Sequence, residues 1–556
     1  MTSPFTKNLA IATALNLFFM AIWFYFGVAR YGALDDYFMG AILSGAFGDA
    51  PDTHLFFVNT LYAKLLVPFY KVFPQVGWYY LSLVAAVFVS FSTITFLLLK
   101  KLGIRVGVLV STVFISLFCE DQYLVVQFTQ AASMLGAAGM LAFIFGVMEK
   151  RFFSLVFWGL LLMALSSLLR YQAFLMGVPL FIMALAFLLK ENWRSWWKAL
   201  IGLALLALFV NLANNYHKAV FEATPEYRYY TAFQSVRANV TEGHYNQNAV
   251  YEDLEEMGFS GKDFALFKEW VLYDTEVFSI ERMKPVMERI RTHAIITDKR
   301  VIPNSLLAAL SNSLTRPVFW AWVLLCAFVL WQNPKQKWVP VASFFIVSGL
   351  ITYLITLSRL VYRVESGYWF YATAMMITFL KNIPPPPKKI SIALAFILIT
   401  GMAFYFAKED ITIIRSPTSG NRKFVSGDID FTDYAAVYSK IESEPEHFFL
   451  MNMNSYMRLA VHRQAPYYAM PVGSLKNIAS FGYWTPYLPA VQKNLDDFGI
   501  KNPMREVVAK GVYVINQGNL APYLQRHHYD SVAVDTACVI GELVFYKYRV
   551  VLPEAK

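Results

Sequence analysis

The chain has 556 residues, 57% of them hydrophobic and 17% aromatic, with only 15% charged, and its mean hydropathy is +0.44. These values fall outside the range of water-soluble domains and read as an integral membrane protein. The formal charge of +10 arises mostly from short basic clusters between apolar runs, as membrane topology requires, which argues against nucleic acid as a partner.

A helix needs about 20 apolar residues to cross the hydrocarbon, and roughly eleven such windows occur, near 8–28, 78–99, 104–119, 124–147, 153–170, 173–189, 197–213, 318–332, 338–357, 367–381 and 389–407. The first has no small-residue cleavage site and runs into "GVARYGALDD", so it reads as a retained helix that also targets the chain. The segment 53–73 is nearly apolar enough to span, but Lys64, Pro68 and Lys71 suit a helix lying in the interface. With a cytoplasmic N-terminus, "KKLGIR", "EKR", "KENWRSWW", "NPKQKW" and "KNIPPPPKK" all fall on the cytoplasmic side. The Pro384–Pro387 run is read there as a stiff turn. The opposite face receives the first outer loop (29–77), "CEDQY", "RYQ", a polar loop over 214–317, "SRLVYRVESGYW" and the C-terminal tail.

The loop 214–317 shows apolar residues at spacings of three and four and reads as helical. From about Glu409 onward, strand-like runs ("HFFLMN", "GVYVIN", "ELVFYKYRV") mix with helical stretches such as "LPAVQKNLDDFG". The expected architecture is therefore an all-α polytopic membrane domain (1–407), with a helical outer loop, followed by a small extracytoplasmic α/β domain (408–556). Cys119, Cys326 and Cys538 lie far apart and form neither a disulfide framework nor a zinc site. About 250 outer residues without a dense cysteine framework suit a bacterial inner membrane.

Charge is nearly absent from the middle of the spans and gathers at their outer ends. An ion-coupled transporter keeps ionisable groups near the bilayer midplane, whereas an enzyme acting on a lipid headgroup needs them at the interface. Asp35 and Asp36 follow the first span in "LDDYFMG", at the start of an apolar stretch that can lie along the membrane as a helix. Carboxylates in a first turn also cap free N–H groups, and adjacent helical residues point about 100° apart, so one of the two is expected to face a site. Glu120 and Asp121 form a second acidic pair in the next outer loop. Arg170, Arg359 and Arg363 lie on the outer face against the usual charge bias; each can snorkel to a helix end or clamp a phosphate with its planar fork. His54 and Lys64, in the interfacial segment, are weaker candidates for the phosphate.

This arrangement resembles the membrane glycosyltransferases of the GT-C superfamily, on "LDDYFMG" (34–40), the interfacial segment up to Gly77, "CEDQY" (119–123), "LLRYQAF" and "SRLVYRVESGYW". The resemblance implies inverting transfer of a sugar from a polyprenyl-phosphate or polyprenyl-diphosphate carrier to a glycan or lipid acceptor on the outer face. It implies that Asp35 or Asp36 is the general base. Glu120 or Asp121 would position the acceptor or help hold a divalent cation, Mg or Mn, and Arg170, Arg359 and Arg363 would stabilise the departing carrier phosphate. The chain has no unambiguous DxD triplet for such a cation. A flippase or transporter of lipid-linked glycans, or a polymerase or ligase of envelope glycans, is the alternative.

Overall fold

A computed structural model describes residues 3–26, 29–189, 197–242, 247–292, 301–357, 359–381, 387, 431–462 and 465–551. The expected span at 389–407 and most of the proline run lie outside the described residues. Among the described residues, six helices are long and apolar enough to cross a membrane. A pair bent by 84°, Val301–Ser313 and Pro317–Gln332, makes a seventh if taken as one span.

The difference from eleven windows has local causes. Windows 78–99 and 104–119 fall in one helical run, α4 (Trp78–Cys119), broken at Gly103, whose φ of 76° a side-chain-bearing residue adopts only at a cost. Windows 153–170 and 367–381 yield shorter helices, Phe157–Leu169 (13 residues) and Tyr362–Ile377 (16 residues). Residues 53–73 contribute α3 (Thr60–Val72), whose 13 residues reach about 20 Å, short of a span. Its Leu65, Phe69 and Val72 are exposed while Tyr62, Leu66 and Tyr70 are buried.

Before these lie α1 (Pro4–Phe26), the two-residue strand β1 (Arg30–Tyr31) and α2 (Leu34–Ser44). The centre of the membrane layer is α5 (Phe128–Met148), buried from Phe128 to Val147. Its run of alanine and glycine lets α6 (Phe157–Leu169), α7 (Tyr171–Leu189) and, further along the chain, the helix Tyr362–Ile377 approach closely. Gln127 caps α5 by accepting from the N–H groups of Thr129 (2.7 Å) and Gln130 (3.0 Å). Just before it, β2 (Val125–Val126) pairs in parallel with β1, Arg30 opposite Val125 and Tyr31 opposite Val126. The first two outer loops are thereby joined side by side.

After α8 (Trp197–Glu222), the loop expected to be helical holds α9 (Pro225–Thr241), α10 (Gln247–Glu256), α11 (Gly261–Lys268) and α12 (Ile280–Thr292). It ends in an apolar helix, α13 (Val301–Ser313), then α14 (Pro317–Gln332), α15 (Trp338–Thr356) and α16 (Tyr362–Ile377). The loops read as outer meet at one end of the layer: Asn59 N–H donates to Leu168 O (2.8 Å) and Tyr230 OH to Trp484 O (3.0 Å). At the other end, Lys100 pairs with Glu149 and Lys381 N–H donates to Gln332 Oε1 (2.8 Å), so the basic loops collect there.

The C-terminal region contains a five-stranded sheet in the order β4-β3-β5-β7-β6. Its strands are β3 (Phe448–Met451), β4 (Ile478–Ser480), β5 (Val512–Ile515), β6 (Val532–Ile540) and β7 (Leu543–Val550). The first three are parallel and the last two antiparallel. The three runs marked as strand-like all become strands, and "LPAVQKNLDDFG" holds the helix Pro489–Asp497. Strands β4 and β6 carry weaker patterns, the first only three residues long and the second with an exposed face.

Candidate active site

Helix α2 begins after Ala33, whose side chain offers no cap, and the two aspartates in its first turn bond to partners on other elements. Asp36 is fully buried. Its Oδ1 accepts from Tyr79 OH (3.0 Å) at the start of α4 and from the N–H of Phe128 (3.3 Å), one of the free donors at the N-terminus of α5. Asp36 thus caps the central helix of the membrane layer. Its Oδ2 is buried with no hydrogen-bond partner, and burial pushes the carboxyl pKa well above the usual range despite the two bonds.

Asp35, one residue earlier, keeps 17% of its side chain exposed. Its Oδ1 accepts from Tyr483 OH (2.8 Å) and Trp484 Nε1 (2.9 Å), both from the C-terminal region. Its Oδ2 faces Arg363 Nη2 at 3.8 Å, an ion pair beyond hydrogen-bond distance. One carboxylate oxygen is thus left with lone pairs to spare.

Arg170 sits in the one-residue break between α6 and α7, where two abutting helices hold its backbone. Its guanidinium lies beside the stacked rings of Phe57 (4.6 Å) and Phe128 (4.9 Å), whose centroids are 5.7 Å apart. Asp35, Asp36, Arg363 and Tyr79 all lie within electrostatic reach of it. No hydrogen bond or ion pair occupies its donors among the described residues, although five are available on a guanidinium. The arrangement offers an anion a planar, oriented clamp next to an available carboxylate oxygen.

Of the residues expected at the site, Asp35, Asp36, Arg170 and Arg363 come together. Arg359 is exposed; α16 begins only at Tyr362, so the two arginines do not share a helical face. His54 Nδ1 donates to Asp52 Oδ1 (2.6 Å) and the ring stacks on Tyr227 at 3.7 Å, while Lys64 bonds the Tyr216 hydroxyl. Both are committed to holding the first outer loop against α8 and α9. Glu120 and Asp121 begin a π-helical turn (Glu120–Leu124), and their side chains lie outside the described ones. Among the described residues no group of three or more His, Cys, Asp or Glu could hold an ion; the side chains of Glu120 and Asp121, the residues expected to help hold a divalent cation, lie outside the described ones.

Several residues at the site carry no mark in the sequence reading. Tyr79, Phe57 and Phe128 are aromatic residues among many. Tyr483 and Trp484 lie some 450 residues downstream; their only local signal is "FGYWTPY", dense in aromatics beside Gly482 and Pro486. Glu365 is buried in α16 and accepts from Ser313 Oγ (2.6 Å), inside a stretch quoted for its arginines. Near it, a small open cleft lies between α5, α14 and α16, lined by Gln122, Gln130, Ser133, Tyr362 and Ser366 among others.

No family model matches the chain, and no curated protein matches it. Among solved structures, ArnT from Cupriavidus metallidurans in the apo state is similar over 98% of both chains at 10% identity, with a TM-score of 0.43. The same protein bound to undecaprenyl phosphate gives 9% identity and a TM-score of 0.41 over 97% of this chain and 98% of the other. An oligosaccharyltransferase from Archaeoglobus fulgidus, in complex with Zn and sulfate, gives 12% identity and a TM-score of 0.40 over 91% of this chain and 67% of the other. At these values the likeness carries no inference about chemistry.

Proposed function

We propose that the protein is a membrane glycosyltransferase that moves a sugar from a polyprenyl-phosphate or polyprenyl-diphosphate carrier to a hydroxyl of a glycan or lipid acceptor at the outer membrane face. The observation that carries this reading is the pairing of Asp35, with Oδ2 unbonded, and Arg170, with a stacked guanidinium whose donors are unused. Both sit where an apolar helical layer meets its extramembrane cap, the level at which a lipid carrier presents its phosphate.

In the proposed step, Asp35 Oδ2 accepts the proton of the acceptor hydroxyl while that oxygen bonds the anomeric carbon. The bond from that carbon to the carrier oxygen breaks, and its electron pair leaves on the phosphate. Arg170 and Arg363 take up the developing negative charge. A single displacement of this kind inverts the anomeric centre. Asp36 is unsuited to the base role because it is fully buried: its Oδ1 is engaged by Tyr79 and Phe128, and its unbonded Oδ2 is closed off from solvent. Its part is to fix α2 onto α5.

A flippase reading would account for a lipid-sized apolar layer but not for a desolvated carboxylate beside an empty guanidinium. The test is mass spectrometry of envelope glycans and lipids from cells lacking the gene, complemented with the wild type or with Asp35→Asn. The expected result is a glycan short of one sugar that the wild type restores and Asp35→Asn does not. Full restoration by Asp35→Asn overturns the reading.

A further inference from the structure

We propose that Tyr483 and Trp484, carried by the C-terminal sheet region, are positioning residues for the Asp35 carboxylate, so that the base is oriented by a part of the chain outside the membrane layer. The inference rests on the assignment of Asp35 as the base. Three independent features of the loop that carries these residues support it.

The first is its place in the sheet. It leaves the carboxyl end of β4, the side of a parallel sheet where ligand and catalytic groups collect because the chain there turns freely. Phe481 N–H still donates to Met451 O (2.9 Å) at the end of β3, so the exit is in register with the neighbouring strand.

The second is backbone strain. Among the described residues, five other than glycine have positive φ, and three meet at this contact: Tyr483 (60°), Tyr487 (61°) and Trp270 (66°). Left-handed conformations at bulky residues are costly and persist where the surroundings impose them. Gly482 is part of that imposition, since any Cβ there would collide with the carbonyl oxygen of Trp270. Thr485 braces the turn, accepting from Ser480 N–H (3.1 Å) and donating to the Ser480 and Gly482 carbonyls.

The third is the support behind Trp484. Its ring covers the guanidinium of Arg237 (4.7 Å), whose other face meets Trp270 (4.4 Å). Arg237 is fully buried and anchored by Gln234 Oε1 (2.9 Å) and Glu242 Oε1 (3.1 Å). Tyr230 OH and Gln234 Nε2 hold the Trp484 and Pro486 carbonyls at 3.0 and 3.3 Å. A buried cation and three strained aromatics are more than docking requires, and together they aim two donors, the Tyr483 hydroxyl and the Trp484 N–H, at one carboxylate oxygen. The effect is to pin Oδ1 and turn Oδ2 outward.

Carbodiimide labelling of the full-length protein in nanodiscs tests this without any substrate. Dicyclohexylcarbodiimide reacts with protonated carboxyl groups, and peptide mass spectrometry separates Asp35 from Asp36. Tyr483→Phe keeps the ring packing on Phe38 (5.8 Å) and removes only the donor. Each bond to a charged group contributes on the order of 1.5–3 kcal/mol, so at pH 6 Asp35 should label about tenfold faster in Tyr483→Phe, and faster still with Trp484→Phe added. Asp36 labelling and thermal stability should not change in Tyr483→Phe. Wild-type labelling of Asp35 in both Tyr483→Phe and the double variant would overturn the proposal, and so would an equal rise at Asp36, which marks mere loosening. These outcomes are independent of whether sugar transfer is observed, so failure here is distinct from failure of the glycosyltransferase reading.

Discussion

Two acidic clusters outside the spans differ in one respect. Asp274, where the outer loop meets the C-terminal sheet, has every lone pair used: its Oδ1 accepts from Asn502 Nδ2 (2.9 Å) and the N–H groups of Glu276 and Val277, its Oδ2 from Tyr523 OH (2.7 Å) and His528 Nε2 (2.6 Å). Asp263 nearby takes both nitrogens of Arg526, at 3.1 and 2.6 Å. The Asp35 corner instead leaves two carboxylate oxygens, Asp35 Oδ2 and the buried Asp36 Oδ2, and the Arg170 guanidinium without hydrogen bonds among the described residues. A satisfied cluster holds two parts of a chain together. An unsatisfied one beside a lipid-facing layer keeps its capacity for a substrate.

Substitutions can break or sharpen this contrast. The largest effect is expected for Asp35→Asn, which should lower sugar transfer by about 10³-fold with folding retained, because a general base is lost and little packing is. Arg170→Gln should cost about 10²-fold, as removing one electrostatic stabiliser does. Arg170→Lys should recover only part of this, since an ammonium lacks the planar fork.

Asp274→Asn should act on stability instead. The five donors hold the Asp274 carboxyl down to about 2, below its unfolded value near 4. The unfolded chain therefore binds more protons between these values, so the stabilisation is complete above pH about 4 and is lost as pH falls through about 2. It amounts to about 2 kcal/mol, read as the difference between wild-type and Asp274→Asn melts at pH 7 that vanishes near pH 2. The smallest effect on transfer is expected for Asp36→Asn, which retains an acceptor for Tyr79 and Phe128 and should lose less than about tenfold. A loss at Asp36→Asn equal to that at Asp35→Asn would erase the distinction between the two carboxylates.

Much of this corner is legible in the sequence because charge is scarce in so apolar a chain. Asp35, Asp36, Arg170 and Arg363 stand out by being charged where charge is costly, and their positions at helix ends follow from the length of the apolar runs. Arg359 stands out for the same reason yet lies before its helix, since a spacing of four informs only where the backbone is helical. His54 and Lys64 are likewise conspicuous, but His54 is taken by Asp52 two residues before it and by the tertiary ring of Tyr227, and Lys64 by the tertiary Tyr216, which left no trace in spacing. The strands β3, β5 and β7 announce themselves as dense β-branched and aromatic runs. Tyr483 and Trp484 do not, because aromatic residues are abundant here and their contact with Asp35 spans some 450 residues of chain. The division of two adjacent aspartates into a buried cap and an open base depends on the N-terminus of α5, which no local pattern connects to α2.

The most direct measurement follows the carrier itself. Purified protein in vesicles is incubated with lipid-linked sugars and with acceptor glycans and lipids, both extracted from cells lacking the gene, and the lipids are read by mass spectrometry. Release of sugar-free polyprenyl phosphate by the wild type, and its absence with Asp35→Asn, is the predicted result. Intact lipid-linked sugar recovered from both, or equal release by both, would contradict the assignment of Asp35 as the base of a glycosyl transfer.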